Sequence, residues 1–162
     1  MEFCMPGPNK RVCAYLIDAI IISTIGIIVS LAFSKDIYWI VYALLLIVKD
    51  SSNGQSFGKY LVGTQVIDMG GSTASLTKTM VRNIFMAVPV LPLIEYFVML
   101  SDKQEGRRIG DRVAKTKVND LNPQRKDSTF LLVSLALVAI YIVLVFGYIS
   151  VVAKQNPNLF KQ

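Results

Sequence analysis

Met80-Val-Arg-Asn-Ile-Phe-Met-Ala-Val-Pro-Val-Leu-Pro-Leu-Ile-Glu-Tyr-Phe-Val-Met-Leu100 is long and apolar enough to cross a bilayer, yet it carries Arg82 and Asn83 at its start, Pro89 and Pro92 in its middle and Glu95 beyond. Two prolines three positions apart break a helix, because each removes a backbone N–H and clashes with the preceding turn. Whether this stretch crosses, or dips in and returns, fixes the side on which every later segment lies. Cytoplasmic loops of membrane proteins are enriched in Lys and Arg. If 80–100 crosses, the 17 Lys and Arg divide eight against nine between the two sides; if it returns, 14 share one side and Lys35, Lys154 and Lys161 lie on the other. The charge count therefore predicts a re-entrant hairpin. Its arms, 80–88 and 93–100, are each only about 13 Å long at helical rise, against a hydrocarbon core of about 30 Å, so neighbouring helices must cover them.

Working outward, residues 12–33 form an apolar run broken only by Asp18 and small polar residues, and 22 residues suffice to span. Ser30-Leu-Ala32 has the small-x-small look of a signal-peptide cleavage site, but the length of the run and Asp18 oppose removal. Residues 37–50 predict a shorter span, with Tyr38 and Trp39 at one interface and Lys49 and Asp50 snorkelling at the other. Phe130 to Ala153 is an uncharged apolar stretch flanked by Arg125, Lys126 and Lys154. Tyr60 to Asp68 is rich in Val, Ile and Thr and is followed by the turn-like Met69-Gly-Gly-Ser72, which predicts a short hairpin, with Thr116-Lys-Val118 as a third strand. The expected fold is thus an all-α integral membrane protein with three transmembrane helices, a Pro-broken re-entrant helical hairpin and a small cytoplasmic β-hairpin or sheet. Residues 1–120 form its membrane domain, with a cytoplasmic loop at 51–79, the hairpin at 80–100 and a basic loop at 101–127; residues 128–162 add a transmembrane helix and a short outer tail.

Composition narrows the chemistry. The 162-residue chain is 53% hydrophobic, has a mean hydropathy of +0.50 and a net charge of +6, and contains no histidine. Histidine-dependent triads, His-ligated zinc and imidazole proton shuttles are excluded. Cys4 and Cys13 match neither a redox pair nor a metal-ligand spacing. The loop Gly54 to Lys59 is no phosphate-binding P-loop, since Asn53 stands where the first glycine belongs and Tyr60 where Ser or Thr is needed. Asp111 lacks the GxGD context of an intramembrane aspartyl protease, because Arg108 occupies the glycine position; a capping or ion-pairing role is expected instead. The sequence calls for no enzyme activity, no cofactor, no metal and no nucleic-acid partner. Its basic loop, through Arg107, Arg112, Arg125 and Lys126, predicts contact with anionic lipid headgroups.

The order of three motifs resembles the RDD family. Arg11 and Asp18 stand where the family's amino-terminal Arg and Asp would fall, Gly54-Gln-Ser-Phe-Gly58-Lys59 looks like its GQTxGK loop, and Arg108-Ile-Gly110-Asp111-Arg-Val-Ala114-Lys-Thr116 looks like its RLGDxxAGT. Gly63 and Arg82-Asn83 fit as well, over about residues 8–120, while Lys115 replaces a usual glycine, Ser56 a usual threonine, and the helix from Phe130 is additional. The resemblance implies a prokaryotic membrane location and an association with transport, including cation/proton exchange.

Asp18 is the residue on which function turns. An acidic side chain deep in a membrane helix costs roughly 3 kcal/mol, so it pairs or acts. Arg11 lies seven positions away, on nearly the same face but about 10 Å distant, and Arg82 is the expected partner. Two functions follow. One is a non-catalytic accessory, docking or regulatory subunit of a larger membrane assembly, favoured by the small size and the absence of an internal repeat; its partner would be another membrane protein or a second copy. The other is ion-coupled exchange, with Asp18 and Glu95 as ion-binding carboxylates. The multi-pass chain is expected in the inner membrane, with its N-terminus cytoplasmic and its C-terminus outside.

Overall fold

The computed structural model describes residues 3–33, 37–88 and 90–155. Pro89 of the expected hairpin tip, Lys35, and the outer tail with Lys161 lie outside these. The chain is mostly helical, with one two-stranded sheet. Among the described residues two helices are long and apolar enough to cross a membrane: α1 (Pro8–Ala32) and α7 (Asp127–Gln155). A shorter apolar helix, α2 (Ile37–Val48), lies between them in sequence.

These three are arranged by small and hydroxylated residues. Asn9, Ser23 and Ser30 of α1 meet Asp127, Tyr141 and Tyr148 of α7, each partner 118 positions further along. The constant offset means that α1 and α7 run parallel from a common end. That end is fastened by Asp127, whose carboxylate accepts the Lys10 N–H at 2.9 Å and the Asn9 N–H at 3.3 Å, capping the first turn of α1. Gly7 permits this approach, because a Cβ there would lie 2.2 Å from the Asp127 carboxyl carbon. Helix α2 returns antiparallel to α1: Tyr38 packs over Gly26 near one end, and Lys49 meets Asp18 towards the other. Tyr38 also stacks on Tyr148 with ring centroids 5.7 Å apart, which ties all three helices together.

Below Asp18 the chain folds into short elements. Helix α3 (Phe57–Val62) precedes strand β1 (Thr64–Asp68), which pairs antiparallel with β2 (Thr116–Asp120) in the register Thr64↔Asp120 to Asp68↔Thr116. This corrects the expected local hairpin. Residues 60–62 are helical, and beyond Met69-Gly-Gly-Ser72 the chain returns only as far as an isolated bridge, Ile67↔Thr73. The sheet has two strands because the segment expected as its third member is β1's actual partner. Two helices, α4 (Leu76–Ala87) and α5 (Leu91–Ser101), meet at the proline region, with Pro92 in the first turn of α5 rather than in the tip, and are bent 115° against each other. A five-residue helix, α6 (Ile109–Val113), leads into β2. After it Lys115 adopts a left-handed φ of 53°, the position where the family pattern carries glycine, a conformation that disfavours any side chain by about 1 kcal/mol.

Candidate functional site

The site is assembled by helix ends. Ser56 caps α3 by accepting the Lys59 N–H at 3.3 Å, and Gly63 closes the helix at φ 81°, donating to the Lys59 and Tyr60 carbonyls. The cap aims the Gly58 N–H at Asp18. It donates to one carboxylate oxygen at 2.8 Å while Lys49 Nζ holds the other at 3.0 Å. No side chain fits at position 58, since a Cβ would lie 2.1 Å from the Ala14 carbonyl oxygen.

Asp50, next to Lys49, anchors a second group. It is fully buried, bonded by Lys59 Nζ and, at 3.0 Å, by Asn83 Nδ2, with Arg82 Nη1 3.8 Å away. Arg82 reaches Asp111 through Nη2 at 2.8 Å. Asp111, in the first turn of α6, also accepts the Arg108 N–H at 3.2 Å, and the Arg108 side chain stands 3.6 Å from the same oxygen and 3.4 Å from Glu95. Glu95 accepts the Gly110 N–H at 2.8 Å, and a Cβ on Gly110 would fall 2.3 Å from the Arg82 carbonyl oxygen. The motif glycines are therefore places where one backbone touches another.

The expected Asp18–Arg82 pair is corrected by this arrangement. Helix α2 descends beside α1 and delivers Lys49 to Asp18, whereas α4 packs against α2 and α6 and carries Arg82 to Asp50 and Asp111. Arg11 and Asp18 do not touch; Arg11 donates to the Gly106 and Glu105 carbonyls. Glu95 is tied up by Gly110 and Arg108. Gly54 holds φ 66° in the turn before α3, where a Cβ would lie 2.4 Å from the Val66 carbonyl oxygen. Of the residues assigned to headgroups, Arg107 pairs with Glu105 at 2.8 Å, Arg112 lies 3.4 Å from Asp102, and Arg125 and Lys126 are exposed.

Sequence reasoning missed Lys49 and Asp50 as site residues, reading them as snorkelling ends, although two adjacent charges closing an apolar run were the available signal. It also missed Lys10, which is buried and bonded to Asp120 at 2.6 Å and to the Asn122 carbonyl at 2.8 Å.

Burial pulls the Lys59 ammonium down to about 7, a fall that Asp50 opposes and the positive charges of Lys49 and Arg82 reinforce. For Asp111 burial works the other way, but Arg82, Arg108 and Arg11 outweigh it and hold the carboxyl below its usual range. Among these residues lies a cleft of about 100 Å³ whose charged lining is Arg11, Asp18, Lys49, Lys59, Arg82 and Arg108, with Tyr15 and Tyr96 also lining it. Among the described residues no cluster of three Asp, Glu or Cys side chains is placed to hold a metal ion.

The family model described as the RDD family matches residues 31–115. That is just over half of the 162 residues, and the chain belongs to this family. The matched range takes in Gly54 to Lys59, Arg82-Asn83 and Arg108 to Ala114, and begins after Arg11 and Asp18. No curated protein and no solved structure matches the chain.

Proposed function

We propose that this member of the RDD family is a non-catalytic accessory subunit that docks on or regulates a larger membrane assembly in a prokaryotic cytoplasmic membrane. The observation that carries the reading is α7, a 29-residue helix whose most apolar window is only 11% buried within the chain. It packs on α1 along one seam and leaves most of its apolar circumference to lipid or to another membrane protein. The polar cluster supports the same reading, because Asp18, Asp50, Glu95 and Asp111 are each engaged by cations of this chain. Paired buried charges fix geometry without turnover.

Parity supports the topology. Asp18 and Lys49 place the end of α2 towards the α1 N-terminus, and Asp127 places the start of α7 at that same end. Residues 51–126 would then begin and end on one side, so the α4–α5 pair enters and returns. With Lys10 and Arg11 cytoplasmic by the positive-inside rule, the C-terminal end of α7 lies outside. The exposed Arg125 and Lys126 would meet anionic headgroups at the cytoplasmic face.

Cation/proton exchange is the second reading, because Asp18 does line the cleft. Five cationic side chains around that cleft oppose a cation there. Flux measured in proteoliposomes with wild type and Asp18→Asn separates the two. The expected result is no flux from either; wild-type flux abolished in a folded Asp18→Asn protein would establish exchange, and a stoichiometric membrane partner retained by wild type would support docking.

A further inference from the structure

With Lys59 in its ammonium form, the cluster carries one cation more than it has carboxylates. Four carboxylates, Asp18, Asp50, Glu95 and Asp111, are engaged by Lys49, Lys59, Arg82 and Arg108. Arg11 is a fifth cation, and among the described residues no carboxylate lies within ion-pair distance of it; its forked end meets only backbone carbonyls. Buried polar atoms are left over on both sides: Asn83 Oδ1, Glu95 Oε2 and Asp111 Oδ1 accept no hydrogen bond, and several guanidinium donors find no acceptor. Arg82 is only 1% exposed, yet its Nε and Nη1 have no hydrogen-bond partner, nor does the buried Nε of Arg11. An unsatisfied charged donor in so little water is costly. Both guanidinium groups line the same cleft, whose volume of about 100 Å³ exceeds the roughly 10–15 Å³ that one water needs.

We infer that this cleft binds a phosphate-type oxyanion, whose charge offsets that of Arg11 and whose oxygens accept from Arg11, Arg82 and Arg108. Guanidinium forks match the spacing of phosphate oxygens, which a single halide cannot satisfy at several donors at once. The site goes beyond the accessory role and does not depend on it. Phosphate chemistry can come from the headgroup of an anionic phospholipid or from free phosphate. The apolar side chains that share the lining, including Val12 and Met99, suit a lipid whose chains leave the cleft along the helices.

Two arms distinguish the sources. In the first, the full-length protein is extracted from membranes containing phosphatidylglycerol and phosphatidylcholine in equal amounts and examined by native mass spectrometry. A lipid site retains one phosphatidylglycerol per chain in preference to phosphatidylcholine, with retention reduced at least tenfold in Arg11→Gln, less in Arg11→Lys, and unchanged in Lys78→Gln, whose side chain lies outside the cleft beside Asp68. In the second, delipidated wild type is melted in sodium phosphate, chloride or gluconate at matched ionic strength. A free-phosphate site gives a rise in Tm with phosphate alone, lost in Arg11→Gln. The second arm reads wild type directly, so it stands even if Arg11→Gln does not fold. No preferential lipid together with equal melting in all three salts overturns the inference, as does chloride stabilising as well as phosphate.

Discussion

The α1–α7 seam and the charge cluster beneath Asp18 hold the same molecule together by opposite means. The seam is long, apolar and sparsely bonded: its hydroxyl contacts, Ser23 with Tyr141 and Ser30 with Tyr148, are both 3.4 Å long. The cluster is small, buried and densely bonded, with backbones in contact at Gly58 and Gly110. A helix in lipid has its backbone satisfied internally and needs little from its neighbours. Short elements such as the six-residue α3 and the five-residue α6 cannot stand alone, and charged side chains crossing between them supply what helical length cannot.

The largest effect is expected where the cluster loses its hub. Asp50→Ala leaves Lys59 and Arg82 without a shared carboxylate and should destabilise the protein by about 3–5 kcal/mol, seen as a collapse of the thermal melt in detergent. Next, Gly58→Ala drives a methyl group against the Ala14 carbonyl and should cost about 3 kcal/mol, whereas Gly147→Ala on α7 meets nothing within 4 Å and should be neutral or stabilising by up to about 1 kcal/mol. Equal losses from the two alanines would erase the distinction between the regions.

A pH series sharpens it further. An unfolded lysine keeps its proton up to about 10.5, whereas folded Lys59 gives its proton up near 7. Between those values the unfolded chain holds more protons, so raising the pH favours the fold. From pH 7 to pH 8.5 wild type should gain on the order of 1–2 kcal/mol relative to Lys59→Met, and parallel melting curves for the two proteins would refute the lowered pKa. The smallest effect belongs to the seam. Tyr141→Phe removes one long hydroxyl contact and should cost about 0.6 kcal/mol or less, measured as a shift in the same melt.

Much of the first region was legible in the sequence, because apolar length and flanking charge report directly on membrane helices: the runs at 12–33 and 130–153 lie within α1 and α7 to within a residue. The polar cluster was legible as a set and illegible as a set of pairs. Arg11, Asp18, Lys59, Arg82, Arg108 and Asp111 do gather at one cleft or on its edge. Which cation meets which carboxylate depends on how far α2 descends and how α4 lies across it, and neither is encoded by local spacing. Tyr60 to Val62 was misread as strand for a related reason: Val and Leu fit strand and helix alike, and the Ser56 cap with Gly63 at the end carried the decision.

The distance along the chain between Asp18 and Lys49 bears on how the protein is made. Asp18 enters the membrane with α1, while its counter-charge lies 31 residues downstream. At about 5–20 residues per second of synthesis, the carboxylate waits roughly 2–6 s for its lysine. A membrane-spanning α1 would thus be a poor solitary insertion substrate until Lys49 has followed it. A nascent chain stalled before residue 49 should slip back from the insertion machinery more readily than one stalled after it.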